Sequence, residues 1–384
     1  MSEPDILVRG GTGRTATTIE LFFDLVYVFA ITQVVGVVHS DPSPAGLAKG
    51  AFILFLLWWT WTTYTWTTNW SGTDSAQIKL FLLTTMATTL VMALAVPGAF
   101  DETSALFGWT YFLVRLLASG LYWFESKDFP AQRAAFWTFF PISSLAAGLV
   151  LAGSLTGGDA LVLLYLAGGI LDFFAALNAG RGTWAVDAPH FAERNGLFII
   201  ISLGESIVAI GLTAVDVELD AEHLGAMVIA FAGVATLWWA YFDRAARYAE
   251  RYFTTLTGKA LGRFARDVYS YIHYPIVVGI VMFAVGLEEV VAHPDRILGL
   301  GHRLTLAGGT ALVFAAIVAG TYRAIRRVTA ERVVAVFALI AIMWVGRSWS
   351  ALAFAGFTVA IAAVSLIAER THPWPQPQVA AGWR

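Results

Sequence analysis

The 384-residue chain has no cysteine. That removes disulfides, thiolate nucleophiles and cysteine-held zinc. Charge is also scarce: Asp, Glu, Lys and Arg make up 13% of the residues, where soluble domains carry about 25%. A formal net charge of −3 excludes a bulk basic surface for nucleic acid. There are 7 histidines, none in an H-x-x-x-H or H-E-x-x-H pair, so neither a metal nor a cofactor is expected. No Walker loop, G-x-S-x-G elbow or dinucleotide fingerprint occurs. Gly10, Gly11 and Gly13 lie in a polar leader with no strand before them. A cleavable signal peptide is not expected either, because the first apolar run begins with acids rather than a small-residue cleavage site.

What fills the chain is apolar: 58% hydrophobic residues and a mean hydropathy of +0.69. Stretches of about 20 apolar residues, the length of a bilayer span, recur near 17–38, 47–68, 77–97, 104–125, 134–156, 159–180, 195–215, 222–242, 267–289, 303–325, 331–346 and 350–368. The expectation is an all-α polytopic membrane protein of about twelve transmembrane helices. The eleventh stretch is short, and without it the termini would fall on opposite sides. With twelve spans and the N-terminus inside, 19 of the 24 Lys and Arg are cytoplasmic, four (Lys49, Arg296, Arg303, Arg347) are outside and Arg115 is mid-span. The positive-inside rule then places both termini on the cytoplasmic side of an inner (plasma) membrane. The acidic loop with Asp216, Glu218, Asp220 and Glu222 falls outside.

The organisation expected is a polar leader over 1–16, a first six-helix half over 17–180, a linker over 181–194, a second half over 195–368, and a Pro-rich tail over 369–384 with Pro373, Pro375 and Pro377. The 243–266 connection carries Arg244, Arg247, Arg251, Arg263 and Arg266 with aromatics between them. It reads as an amphipathic helix on anionic lipid headgroups or as a solvated connector. Asp24 begins DLVYVFAIT and Glu205 begins ESIVAIGLT. Trp58-Trp59 and Trp238-Trp239 follow, at offsets of 181 residues for the acids and 180 for the tryptophans. With six spans on each side, the halves would be parallel repeats about an axis along the membrane normal.

A carboxylate at membrane depth costs roughly 2.5–3.5 kcal/mol on insertion scales, which makes it a functional candidate. Glu20 and Asp24 are an i, i+4 pair on one helix face, with Phe22 and Phe23 turned elsewhere. Glu205 sits mid-span after Gly204. Each acid either exchanges protons or neutralises a buried arginine. Arg115 needs such a partner, and Asp24, Asp172 and Glu205 are the candidates. Glu193 and Arg194 lie at a span mouth, as a gate, a headgroup contact or helix-start charge. His190 with Glu193 falls short of a metal site. In the ninth span Asp267 and Tyr271 share a face, Pro275 frees the Tyr271 carbonyl and can kink the helix, and His273 is either a proton relay or a hydrogen-bonded core histidine. Glu288 and Glu289 close that span, as an exit vestibule or simply as interface. Thr60, Thr63 and Thr67 form a stripe that lines a cavity or packs against its own carbonyls. Trp66 and Trp70 fit an interfacial aromatic belt. Asn69-Trp70-Ser71 matches a glycosylation sequon, but on the cytoplasmic side.

Three stretches carry a family resemblance. They are Glu20-Leu-Phe-Phe-Asp24-Leu-Val-Tyr-Val-Phe-Ala-Ile-Thr32-Gln33, then Glu193-Arg194-x-Gly-Leu-Phe-Ile-Ile-Ile-x-Leu-Gly-Glu205-Ser-Ile, then Arg266-Asp267-x-Tyr-x-Tyr-x-His273-x-Pro275. In this order they resemble the bacterial low temperature requirement protein A (LtrA) family, over almost the whole chain. The resemblance implies a membrane protein named for growth in the cold, with no established reaction. Phe22-Phe23-Asp24 with Ala30-Ile31 is also similar to the F-S-D…A-I signature opening each six-helix repeat of certain potassium channels, with Phe23 in place of serine.

Function is therefore expected to be ion or proton-coupled transport, with the lipid bilayer as partner and a monovalent cation or proton as passenger. The alternatives are a membrane enzyme acting on lipid and a non-catalytic component of cold adaptation. Transport ranks first because the chain offers no convincing nucleophile or metal set.

Overall fold

The computed structural model describes residues 13–179 and 184–371. The leader up to residue 12, Arg181 and the Pro373–Pro377 tail lie outside the described residues. Among the described residues twelve helices follow one another: α1 Thr18–Ser40, α2 Pro44–Ser71, α3 Ala76–Leu94, α4 Ser104–Glu125, α5 Pro130–Ser154, α6 Gly158–Ala179, α7 Ala188–Val215, α8 Ala221–Phe253, α9 Gly258–Ala292, α10 Leu300–Ile325, α11 Ala330–Val345 and α12 Ala351–Glu369. The only β pairing among the described residues is an isolated bridge, Ile297 to Ser350. The molecule is an all-α polytopic membrane protein. Eleven of the helices are long and apolar enough to cross a bilayer. α11, with 16 residues, spans about 24 Å at 1.5 Å per residue, short of the ~30 Å hydrocarbon core. Large apolar side chains such as Leu163, Val228, Phe231, Phe337 and Trp344 point outward, as lipid-facing surfaces require.

The ends of the elements follow local chemistry. Ser75 accepts the Ile78 N–H at the start of α3, and Asp220 accepts those of Glu222 and His223 at the start of α8. The bonds to Asp220 favour its ionised form and hold its carboxyl below the ordinary value of 3.8. The 243–266 stretch is not a separate element. Most of it is the end of α8 and the start of α9, which meet at a short turn.

Three helices contain wide π-helical turns, at Tyr241–Ala245, Ala265–Ile272 and Leu304–Gly308. The second lies just before Pro275. Pro275 supplies no N–H to the Tyr271 carbonyl, and the wider turn is one way a helix passes such a break.

The chain folds as two compact units. The first holds Met1–Val34, Phe52–Arg194 and Leu256–Ser270; the second holds Val35–Ala51, Asn195–Thr255 and Tyr271–Arg384. In the first unit α5 and α6 approach so closely that a Cβ on Gly168 would lie 2.7 Å from the Ala146 carbonyl oxygen. In the second, α9 and α10 cross glycine to glycine. A Cβ on Gly279 or on Gly309 would meet the other's carbonyl oxygen at 2.6 Å. Small residues let helix backbones touch where no water drives association.

Candidate functional site

The first unit buries a chain of polar side chains where α1, α2 and α7 meet. Its start is the Glu20 half of a capping box at α1. Thr17-x-x-Glu20 has the required pattern, and Glu20 Oε2 accepts both the Thr17 N–H and the Thr17 hydroxyl at 2.9 Å. Glu20 therefore has a local structural role.

One turn on, Asp24 Oδ1 accepts from Trp61 Nε1 at 2.8 Å and from Arg194 Nη2 at 2.6 Å. Arg194 Nη1 also lies 2.9 Å from Glu20 Oε1, an ion pair without hydrogen-bond alignment. Arg194, read from the sequence as a mouth or gate charge, is fully buried between these two carboxylates. Asp24 Oδ2 is buried and has no hydrogen-bond partner among the described residues.

Glu20 connects onward to a second set of groups. His190 Nε2 sits 3.2 Å from Glu20 Oε2, and His190 Nδ1 sits 3.0 Å from Asn69 Nδ2. The Asp187 N–H donates to Asn69 Oδ1 at 2.7 Å, while Asn69 Nδ2 donates to the Asp187 carbonyl at 3.0 Å. These two bonds orient the Asn69 amide. Nδ2 must then donate to His190 Nδ1, which leaves Nε2–H to donate to Glu20. The Asp187 carboxylate is itself buried. It accepts from Gly13 N at 2.9 Å and Arg14 N at 3.2 Å. Glu193 faces outward and accepts from Ala16 N at 2.9 Å, so His190 and Glu193 bond different partners. Among the described residues no group of three or more His, Asp and Glu could hold a metal.

Asn69, Asp187 and Trp61 carry this network, and sequence reasoning did not single them out for it. Asn69 stood out only as a sequon, yet it is buried and offers no acceptor for a glycan. The one sequence signal available was the capping pattern Thr17-x-x-Glu20.

Arg115 belongs to a separate cluster in the same unit. Of its three candidate partners, Asp172 is the one it meets. Arg115 Nη2 donates to Asp172 Oδ1 and Oδ2 at 2.9 and 2.7 Å and also bonds Ser143. Nη1 donates to the Trp59 carbonyl and to Thr63 Oγ1 at 3.1 and 2.7 Å. Every charge there is matched. Thr63 and Thr67 line a cleft of about 560 Å³, open side included, together with Trp66, Tyr122, Trp184 and Arg266. Both hydroxyls also bond carbonyls of their own helix, so the stripe lines a cavity and satisfies itself at once. Asp267 takes two bonds from the adjacent Arg266, at 2.9 and 2.6 Å. Trp70 is completely buried against Tyr122 and Phe129. That overturns the expectation of an interfacial position for it.

The second unit holds the other candidates. Glu205 is buried there, and Glu288, which feels its like charge, meets His39 Nδ1 at 2.6 Å. His273 Nε2 lies 2.7 Å from the Tyr241 hydroxyl, its ring edge-on to the tyrosine at 89°. That is the geometry of a core histidine bonded between helices. Tyr271 is half-buried on the π-helical turn. Trp238 and Trp239 are 47% and 43% exposed, whereas Trp58 and Trp59 are buried. The matched tryptophan signatures therefore have opposite environments.

Residues 15–368 match the profile of the bacterial low temperature requirement A protein (LtrA). A protein of Rhizobium meliloti (strain 1021), described as uncharacterized, is 31% identical over 312 residues, covering 77% of this chain and 74% of its own. No solved structure matches the chain.

Proposed function

We propose that this chain, which belongs to the bacterial low temperature requirement A (LtrA) family, is a proton-coupled carrier of a monovalent cation in the bacterial plasma membrane, with both termini in the cytoplasm. The observation that supports this reading is the unbalanced cluster around Asp24. Two buried carboxylates, Glu20 and Asp24, share one guanidinium, Arg194. The histidine beside them donates from Nε2 rather than bringing a fixed positive charge. A buried excess negative charge is costly unless a proton or cation neutralises it.

Glu20 already has Thr17, His190 and Arg194. Asp24 Oδ2 is the open position, so Asp24 is the group that takes and releases the passenger. Glu205 has the same role in the second unit, where a second carboxylate, Glu288, opposes its charge. Asp267, Tyr271 and His273 serve as supporting polar groups on α9. Arg115 and Asp172 are a balanced pair and act as scaffold.

Purified protein in liposomes, under an imposed potassium or sodium gradient, is expected to move protons as read by an entrapped pH dye. Asp24→Asn and Glu205→Gln are each expected to lower the rate at least tenfold while the protein still elutes as one species. Vesicles that stay tight across pH and cations, or an Asp24→Asn variant with full flux, would overturn the reading.

A further inference from the structure

The second unit ends in a charge cluster that the transport reading does not use. α8 leaves its regular path through the π-helical turn Tyr241–Ala245. Such turns frequently mark functional sites. This one carries Asp243, which contacts three arginines: Arg247 at 3.1 Å, Arg370 at 3.8 Å and Arg244 at 3.9 Å. Arg244 also donates to the Glu369 carbonyl at 2.9 Å. The Glu369 carboxylate is held by the buried Arg332 at 2.7 Å. Four arginines thus meet two carboxylates, and the surplus is positive. The two most exposed of them are Arg247 and Arg370, with 60% and 51% of their side chains accessible.

Beside this cluster an apolar groove of about 650 Å³, open side included, runs between α8 and α12. It is lined by Ala235, Thr236, Trp239, Ala363, Ile367 and Arg370. Its walls lie among outward-facing apolar side chains, including Trp238, Val364 and Ile367. At the groove's end the Arg370 guanidinium stacks 4.6 Å from the Trp239 ring. Tryptophan and arginine together at a helix end are the usual signature of the headgroup level.

We propose that this groove binds one anionic phospholipid, with an acyl chain along α8 and α12 and the phosphate against Arg247 and Arg370. Charge complementarity selects the lipid. The surplus positive charge attracts an anionic headgroup and gains nothing from a zwitterionic one, whose own cation opposes it. The apolar length of the groove selects a lipid over a free anion, because only an acyl chain covers it. The site shares no residue with the Asp24 cluster, and its failure would leave the transport reading untouched.

Native mass spectrometry of the purified full chain tests this, with phosphatidylglycerol and acyl-matched phosphatidylcholine added in parallel. The chain is expected to retain one phosphatidylglycerol in preference to phosphatidylcholine. The double variant Arg247→Gln/Arg370→Gln should weaken that binding about 30-fold, the scale of two basic residues at an anionic surface. Thr236→Trp, which fills the groove and leaves every arginine in place, should abolish it in a protein that still elutes as wild type. Millimolar inorganic phosphate should not displace the lipid. Equal retention of both lipids, an unaffected double variant or displacement by phosphate would each overturn the proposal.

Discussion

Arg115 shows what an arginine needs in the middle of an apolar helix. Its donors are taken by Asp172, Thr63, Ser143 and a carbonyl. Removing one partner strands a buried charge. Asp172→Asn is therefore expected to destabilise the protein by about 3–5 kcal/mol, read as a lower midpoint of denaturant or thermal unfolding in detergent. Arg115→Met with Asp172→Leu removes both charges and should recover most of that loss, because replacing a buried pair by apolar side chains is close to neutral. If the double variant is as unstable as the single one, the pair does more than neutralise itself. Asp24 is the contrasting residue: it has an arginine partner, but shares it with Glu20. Sequence could show that Asp24 and Arg115 each needed a counter-charge and offered Asp172 as one candidate, but it read Arg194 as a charge at a span mouth. It could not pair them, because their separations of 57 and 170 residues carry no periodic signal.

Among the elements, the helix boundaries were largely legible, because apolar run length and cap chemistry are local. The paths inside the helices were less so. Pro275 announced an irregularity in α9, and a π-helical turn lies just before it; nothing comparable announced those at Tyr241–Ala245 and Leu304–Gly308. Two predictions belong here. Gly279→Ala and Gly309→Ala each push a methyl into the facing backbone, and each should lower stability by about 1–3 kcal/mol, the cost of overpacking. Because the two sites touch, the double variant should depart from additivity, measurable by unfolding in detergent. The second concerns pH at the start of α8. Asp220 is held below its ordinary 3.8 by its bonds to the helix start. Its contribution is thus present above that value and lost as pH falls through the lower folded value. Amide exchange at Glu222 and His223 should accelerate in that acid range, and Asp220→Asn should remove the pH dependence. Exchange that is already fast at neutral pH would show that the cap does not hold.

For the whole molecule, the cysteine-free sequence makes topology directly measurable. Glu218→Cys and Thr255→Cys introduce single thiols at exposed positions. With both termini cytoplasmic, a membrane-impermeant maleimide is expected to label residue 218 on intact cells and residue 255 only after permeabilisation. The reverse pattern would invert the orientation and reject the positive-inside argument for this chain. The division into compact units is also a property of the whole. Four of their five boundaries fall inside α1, α2, α7 and α9, and the fifth falls in the turn between α8 and α9.

Composition alone determined that this chain is a membrane protein of many helices. A backbone in hydrocarbon must satisfy its own hydrogen bonds, and uninterrupted apolar runs permit only helices to do so. The sequence also singled out several charges as exceptional, since the cost of taking a charge out of water is set by the charge and the apolar run around it before any partner is known. Tertiary structure decided which partners those charges meet. It gave Asp172 to Arg115, placed Asn69 and Asp187 behind His190, and left Asp24 with half its carboxylate unmatched. Pairing energy falls off over a few ångströms, so only the packing of helices distant in sequence could separate a fully matched charge from one with an oxygen left unmatched.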